Sequence, residues 1–180
     1  MKISESKLDL DLFENYINEE TSELLKRHII ENTGLQIKQN MRSSLVFGEI
    51  KSYYLPYYGI EKKVLPWDPI IKDISDNLES LTGQKYHVCV IQYYPNGNVG
   101  INPHRDKEMS PNTIITSLSL GSTRNMQFSH QNKEINVELK QGSILLINPP
   151  TNNVWKHSIS KDSSAEPRIS LIFRNCENMF

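Results

Sequence analysis

Apolar positions along the chain change period partway through: two stretches of the first half repeat at helical spacing, and the second half breaks into short alternating runs. From Glu19 to Asn32, the residues Leu24, Leu25, His28 and Ile29 form one stripe with Gly34 just beyond, which predicts a helix. From Asp68 to Leu81 the signal is fuller. Asp68 can cap, Pro69 suits the first helical position, and Ile70, Ile71, Ile74, Leu78 and Leu81 recur at helical spacing before Gly83, which can supply a left-handed stop. A helix with one such apolar face packs on a sheet. From Tyr86 onward, β-branched and aromatic runs separated by turn residues predict strands at Tyr86–Tyr93, Thr113–Leu120, Met126–His130, Ile135–Leu139, Ser143–Ile147, Val154–Ile159 and Arg168–Arg174. Helices come first and strands follow without βαβ alternation. An α+β fold is therefore expected: a jelly roll, or double-stranded β-helix, of antiparallel strands buttressed by N-terminal helices.

A length of 180 residues fits one domain with a real core. With 37% hydrophobic and 23% charged residues, 8 Gly and 9 Pro, the composition excludes collagen-like and strongly disordered chains. The balance of 20 Lys+Arg against 21 Asp+Glu excludes a surface that is basic throughout, while leaving room for a local basic patch. Charge is uneven, since residues 1–85 carry 11 basic and 14 acidic side chains and residues 86–180 carry 9 and 7. The first residues, MKISESKLDLDLFENY, hold no signal-peptide hydrophobic run, and no window approaches the ~18 apolar residues of a membrane span, so a nuclear or cytoplasmic location is expected. Cys89 and Cys176 are too few for a disulfide framework or a cysteine-rich zinc site and read as structural.

Candidate chemistry begins at His104-Arg105-Asp106. In an extended segment, positions i and i+2 present their side chains on the same side, so this imidazole and carboxylate can grip one metal. His157 lies in another apolar segment and would complete two histidines and a carboxylate, a facial set that leaves the remaining metal positions open, as in non-haem Fe(II) oxygenases. An HxD pair is common by chance, so more is needed. The last strand supplies it: alternation puts Ile169, Leu171 and Phe173 on one face and Arg168, Ser170, Ile172 and Arg174 on the other. Two arginines on one face either look into water on a solvated strand or meet a dicarboxylate, whose geometry their planar forks match.

The run from His104 through His157 to Arg168–Arg174 resembles the AlkB-like Fe(II)/2-oxoglutarate dioxygenases, in particular the nucleic-acid dealkylating members. The likeness extends in order through RSSLVFG (42–48), LTGQ (81–84), YYPNGNVGINPHRDKE (93–108), SLSLG (117–121) and GSILLINPPTNNVWKH (142–157), covering roughly residues 40–175. The resemblance implies oxidative dealkylation of N-alkylated bases with Fe(II), 2-oxoglutarate and O2. By matched position it makes His104, Asp106 and His157 the iron ligands, with Arg168 on the distal carboxylate of 2-oxoglutarate, Arg174 near its metal-side carboxylate and Tyr93 holding the cosubstrate. Glu108 falls where an acidic residue contacts the exocyclic group of the base. The family often has Asn two residues before the tyrosine, where this chain has Ile91.

The tyrosine-rich stretch 53–58 falls where the family has a nucleotide-recognition lid, and aromatic faces stack on unstacked bases. Tyr54 and Tyr57 are the expected stackers. The organisation is then a single domain over 1–180, with a helical buttress at 1–38, a lid at 42–65 and a jelly-roll core at 86–175. The expected partner is alkylated DNA or RNA, with no membrane and a monomeric state. Three rival readings stay open: an oxygenase of the same cofactors acting on a non-nucleic-acid substrate, a non-catalytic nucleic-acid-binding relative, for which Ile91 is the hint, and a zinc hydrolase of cupin type.

Overall fold

The computed structural model describes residues 1–180. In chain order, the elements open with β1 (Lys2–Glu5), β2 (Leu8–Phe13), α1 (Glu19–Asn32), β3 (Ser43–Gly48), β4 (Ser52–Leu55), β5 (Ile60–Lys63), β6 (Leu65–Pro66) and α2 (Pro69–Thr82). They continue with β7 (Val88–Tyr94), β8 (Ile101–His104), β9 (Ile115–Gly121), β10 (Arg124–His130), β11 (Lys133–Leu139) and β12 (Ile144–Ile147). The chain closes with a single helical turn α3 (Thr151–Val154), β13 (Lys156–Ile159) and β14 (Arg168–Arg174). An eight-stranded sheet in the order β1-β2-β12-β9-β14-β7-β3-β6 faces a four-stranded sheet β11-β10-β13-β8, and β4 and β5 stand apart as a hairpin. Every pairing is antiparallel except β3 with β6. This is the jelly roll expected from the strand spacing. No helix is long and apolar enough to cross a membrane.

The two helices form as their sequences predict. Asp68 caps α2 by accepting from the Ile70 and Ile71 amides, and Gly83 closes it at φ 71° in the left-handed region. Ile71 and Leu78 are fully buried, each worth roughly 1.5–3 kcal/mol as apolar surface removed from water. In α1 the buried stripe is Ser22, Leu25 and Ile29, while Leu24 points outward at 56% exposure. His28 sits beside that stripe, and its Nε2 meets Asp68 Oδ2 at 2.9 Å, tying the two helices together. Both helices cover one face of the large sheet, where Cys89, Ile91, Tyr93, Leu118, Leu120, Ile169, Leu171 and Phe173 form the packing surface.

The N-terminal segment is not helical throughout. Residues 2–13 form a hairpin whose second strand extends the large sheet by pairing with β12. Its sequence LDLDLF alternates strictly, with Leu8, Leu10 and Leu12 buried among residues of the inner core and Asp9 and Asp11 turned outward. The 42–65 span also divides, because Ser43–Gly48 pairs with β7 as part of the large sheet and only the 52–63 hairpin projects from it. The chain ends by returning to that hairpin: Phe180 N–H donates to Ser52 O at 2.9 Å, and Lys51 N–H to Phe180 O at 2.8 Å.

Candidate metal and cosubstrate site

The inner face of the large sheet is polar at its centre. Register puts Arg168 opposite Tyr94, Ser170 opposite Gln92 and Arg174 opposite Val88, while on the other neighbour Ser170 faces Ser119 and Ile172 faces Ser117. These side chains look toward the small sheet, and both β14 arginines are buried, Arg168 at 1% and Arg174 at 6% exposure. The solvated-strand alternative for the two arginines is thereby removed.

On the small sheet, β8 and β13 lie side by side with His104 and His157 in register, their ring centres 4.4 Å apart. Asp106 follows on the loop after β8, which Asn152 clamps from two sides. The Asp106 N–H donates to Asn152 Oδ1 at 3.0 Å, and Asn152 Nδ2 donates to Asp106 O at 2.9 Å. One ligand atom from each of His104, Asp106 and His157 falls within 4.8 Å of the others, close enough to share one metal ion. His104 Nδ1 lies 2.8 Å from Asn102 O, which leaves Nε2 directed at Asp106, 3.3 Å away. A carbonyl accepting from the far ring nitrogen fixes the tautomer a metal ligand needs. Trp155 is wholly buried just ahead of β13 and anchors the strand's start through Nε1–H to Ser6 O at 3.0 Å.

Electrostatics favours a cation here. Burial would raise the Asp106 carboxyl, but Arg174 beside it, with His104 and His157, holds it well below the usual carboxylate range. Burial pushes His157 down to about 4 despite Asp106, so its imidazole is neutral and available as a ligand at physiological pH. Arg174 Nη1 bridges Asp106 Oδ2 at 3.1 Å and Glu108 Oε1 at 2.9 Å, so Glu108 joins the cluster. Tyr53 and Lys62 face each other in register on the hairpin above this cluster, and the Arg174 charge is felt by both phenol and ammonium.

A second polar group surrounds Arg168. Its Nη2 donates to Ser119 Oγ at 3.0 Å, whereas Nε, Nη1 and the hydroxyls of Ser117 and Ser170 are buried without partners. Such orphans are costly unless a ligand fills the space between them, and a carboxylate is what a guanidinium fork with neighbouring hydroxyls accepts best. The ring of Tyr94 lies over Arg168, 5.3 Å from its Cζ, and the Tyr94 hydroxyl donates to Gln92 Oε1 at 3.1 Å. Tyr93 is not in this group. It points to the helix side with Ile91 and Ile169, and Tyr94 is the tyrosine that lies beside Arg168. Counted from Tyr94, the residue two before is Gln92, so the difference from the family's usual Asn becomes Gln instead of Ile. Two adjacent tyrosines on a strand face opposite ways, and only the β14 register tells which looks inward.

On the hairpin, Tyr53 is buried, Tyr54 is 39% exposed and Tyr57 is 76% exposed. Lys107 Nζ sits 5.6 Å from the centre of the Tyr57 ring, which places the hairpin tip beside the loop carrying Asp106 and Glu108. Tyr54 has no such contact with the loop. Next to that loop opens a cavity of about 320 Å³ lined by Arg105, Asp106, Lys107, Ser110 and asparagines 112 and 153. Gln92 and Tyr94, which sit beside Arg168, are site residues that the sequence alone does not single out.

The family pattern of the 2OG-Fe(II) oxygenase superfamily matches residues 12–174 of this chain. The mouse (Mus musculus) protein named DNA oxidative demethylase ALKBH2 is 30% identical over 146 residues, 74% of this chain and 61% of that protein. The Homo sapiens protein of the same name is also 30% identical over 146 residues, covering 74% and 56%. The chain thus spans about three fifths of the length of these relatives. Among solved structures, one described as "The structure of OsALKBH1" superposes with a TM-score of 0.72 at 12% identity, over 97% of this chain and 100% of that one, which shows a shared fold.

Proposed function

The chain belongs to the 2OG-Fe(II) oxygenase superfamily, whose cofactors are Fe(II), 2-oxoglutarate and O2, and we propose that it removes alkyl groups from nitrogen atoms of nucleobases in DNA or RNA. The observation that carries this is the cluster in which Arg174 ties the metal-binding Asp106 to Glu108 beneath a tyrosine-rich hairpin. It puts an acceptor for a base edge beside the metal. The relatives named DNA oxidative demethylases point the same way.

The residues present fit the implied groups. His104 Nε2, one Asp106 oxygen and His157 Nε2 would hold Fe(II), and the unpartnered Arg168 fork with Ser170 would take the distal carboxylate of 2-oxoglutarate, with Tyr94 rather than Tyr93 as the tyrosine alongside. When bound, the metal and cosubstrate supply the oxidation of the N-alkyl carbon, so that an N-methyl base, 2-oxoglutarate and O2 yield the free base, formaldehyde, succinate and CO2.

The protein's share is placement and protection. Arg174 holds Asp106 ionised and available to the metal, and its contact with Glu108 orients that side chain as an acceptor for an exocyclic amino group. Glu108 uses Oε1 toward Arg174, which leaves Oε2 to face a base. Tyr57 offers a flat exposed face at the hairpin tip for stacking, and the cations of Arg105 and Lys107 meet the phosphates on either side. The base must be single-stranded or flipped to reach this depth.

The test is mass spectrometry of a single-stranded oligonucleotide carrying one N1-methyladenine, incubated with protein, Fe(II) and 2-oxoglutarate beside an Asp106→Ala control. Loss of the methyl mass in the wild-type reaction alone is expected. An intact oligonucleotide with 2-oxoglutarate still consumed would overturn the nucleobase substrate and leave the oxygenase.

A further inference from the structure

Arg124 opens β10 at 1% exposure, and no carboxylate pairs with it. Its Nη2 donates to main-chain carbonyls of both loops that close this end of the barrel: Ser160 O at 2.5 Å, Val99 O at 3.0 Å and, weakly, Gly97 O at 3.5 Å. Nε and Nη1 remain buried with no partner. The guanidinium lies against the ring of Tyr94, with Cζ 5.8 Å from the ring centre, and Arg168 lies 5.3 Å from the same centre.

Two guanidinium groups thus share one phenol ring in the interior, and neither makes an ion pair; only Arg124 feels a carboxylate, that of Asp162, at longer range. Each is costly to keep charged there, and each makes the other costlier. Burial draws both below the ordinary arginine range. Carbonyl bonds offset part of this for Arg124, but the two orphan nitrogens show that the offset is incomplete. An apolar side chain of similar length would fill the space without that penalty, so the positive charge calls for an anion. Arg168 is the one whose open fork can touch that anion. Arg124 is fastened to main chain and bears on the ring between.

We propose that Arg124 is a positioning residue for the distal carboxylate of a five-carbon dicarboxylate cosubstrate. Its carbonyl-fixed guanidinium holds the Tyr94 ring against Arg168 and adds a second positive charge to the pocket. This rests on the cosubstrate reading of Arg168 given above. Its consequence is selectivity: the pocket favours 2-oxoglutarate over 2-oxopentanoate, which has the same carbon chain but no distal carboxylate. The Tyr94 hydroxyl donates to Gln92, which fixes the far end of the ring.

The experiment is calorimetric titration of 2-oxoglutarate and, separately, 2-oxopentanoate into Mn(II)-loaded protein, for wild type, Arg124→Met, Arg124→Lys and Arg168→Met, with a thermal melt of each. Arg124→Met is expected to weaken 2-oxoglutarate about tenfold, as loss of a nearby, non-contacting positive charge would, while 2-oxopentanoate binding stays within about twofold. Arg124→Lys, which restores charge without the fork, should recover part of the selectivity. If Arg124→Met lowers the melting temperature but leaves the ratio of the two affinities at its wild-type value, Arg124 merely knits the two loops together and the proposal is wrong. If Arg168→Met also leaves that ratio unchanged, the cosubstrate reading itself fails.

Discussion

Arg174 carries more of the site than any other single side chain, because one of its nitrogens serves two buried carboxylates. Replacing it with Leu strands Asp106 and Glu108 as neighbouring negative charges. The expected cost is about 3–5 kcal/mol, the usual penalty for removing one member of a buried pair, read as a lowered urea midpoint. A bound divalent cation should recover part of it by facing Asp106, so the deficit is expected to be smaller in the presence of Mn(II). The cysteines make a contrasting case. Burial pushes the Cys176 thiol up to about 11 and raises Cys89 as well, and both are at or below 1% exposure. A raised thiol pKa means the protonated, unreactive form at pH 8, so a thiol-specific reagent should find no reactive group in the native protein and both after denaturation. A native thiol titrating at pH 8 would contradict this. At this scale the sequence reading reached His104, Asp106, His157, Arg168 and Arg174 because spacing and alternation are local. It missed Tyr94 and Gln92 because the inward face of β7 is set by pairing with a strand about 75 residues away, as in Arg168 opposite Tyr94.

Among the elements, α2 was legible to within a residue at its end, since its cap, first-turn proline and terminal glycine agree, although Ile70 and Leu81 of the expected apolar stripe face outward. Asp68 does double duty, capping α2 through Oδ1 and meeting His28 of α1 through Oδ2. Asp68→Ala should therefore cost about 1–2 kcal/mol, the upper part of the range for a cap, seen by chemical denaturation. Removing the pair from the other side with His28→Ala should cost less, because the cap survives. Several strands were not legible, for reasons that differ. In β2 the alternation LDLDLF is plain, yet the segment falls within residues 1–38, which were expected to form a helical buttress. In β8, INPH holds a proline, which argues against a strand, and its pairing with β13 is irregular. The segment SSLVFG was absorbed into the lid, although it pairs with β7 over its whole length. The part that projects is the 52–63 hairpin, and Tyr57 is the tyrosine at its tip next to Lys107. Tyr57→Ala should raise the KM for a methylated oligonucleotide several-fold, on the order of the ~1–3 kcal/mol of a stacked base, with 2-oxoglutarate affinity unchanged. Tyr54→Ala should do less, and the reverse order would displace Tyr57 from the role.

For the molecule as a whole, the fold class followed from the order of helices and strands, while the depth of the site did not. Composition gives a net charge of -1 and says nothing of a cluster in which two buried arginines and His157 meet two acids and a partly exposed His104 between the sheets. That enclosure is a product of the two sheets meeting: the histidines come from the small one, the arginines from the large one, and the acids from the loop that joins them. Under the proposed function, this cluster couples consumption of 2-oxoglutarate to dealkylation of a base held at its mouth. The direct measurement is succinate formation followed by NMR, with Fe(II) and O2, in the presence and absence of a methylated oligonucleotide whose methyl loss is counted in the same samples. Succinate rising with the oligonucleotide and matching methyl loss one for one is the expected result. Succinate formed at the same rate with or without the oligonucleotide, or none in either sample, would contradict the account.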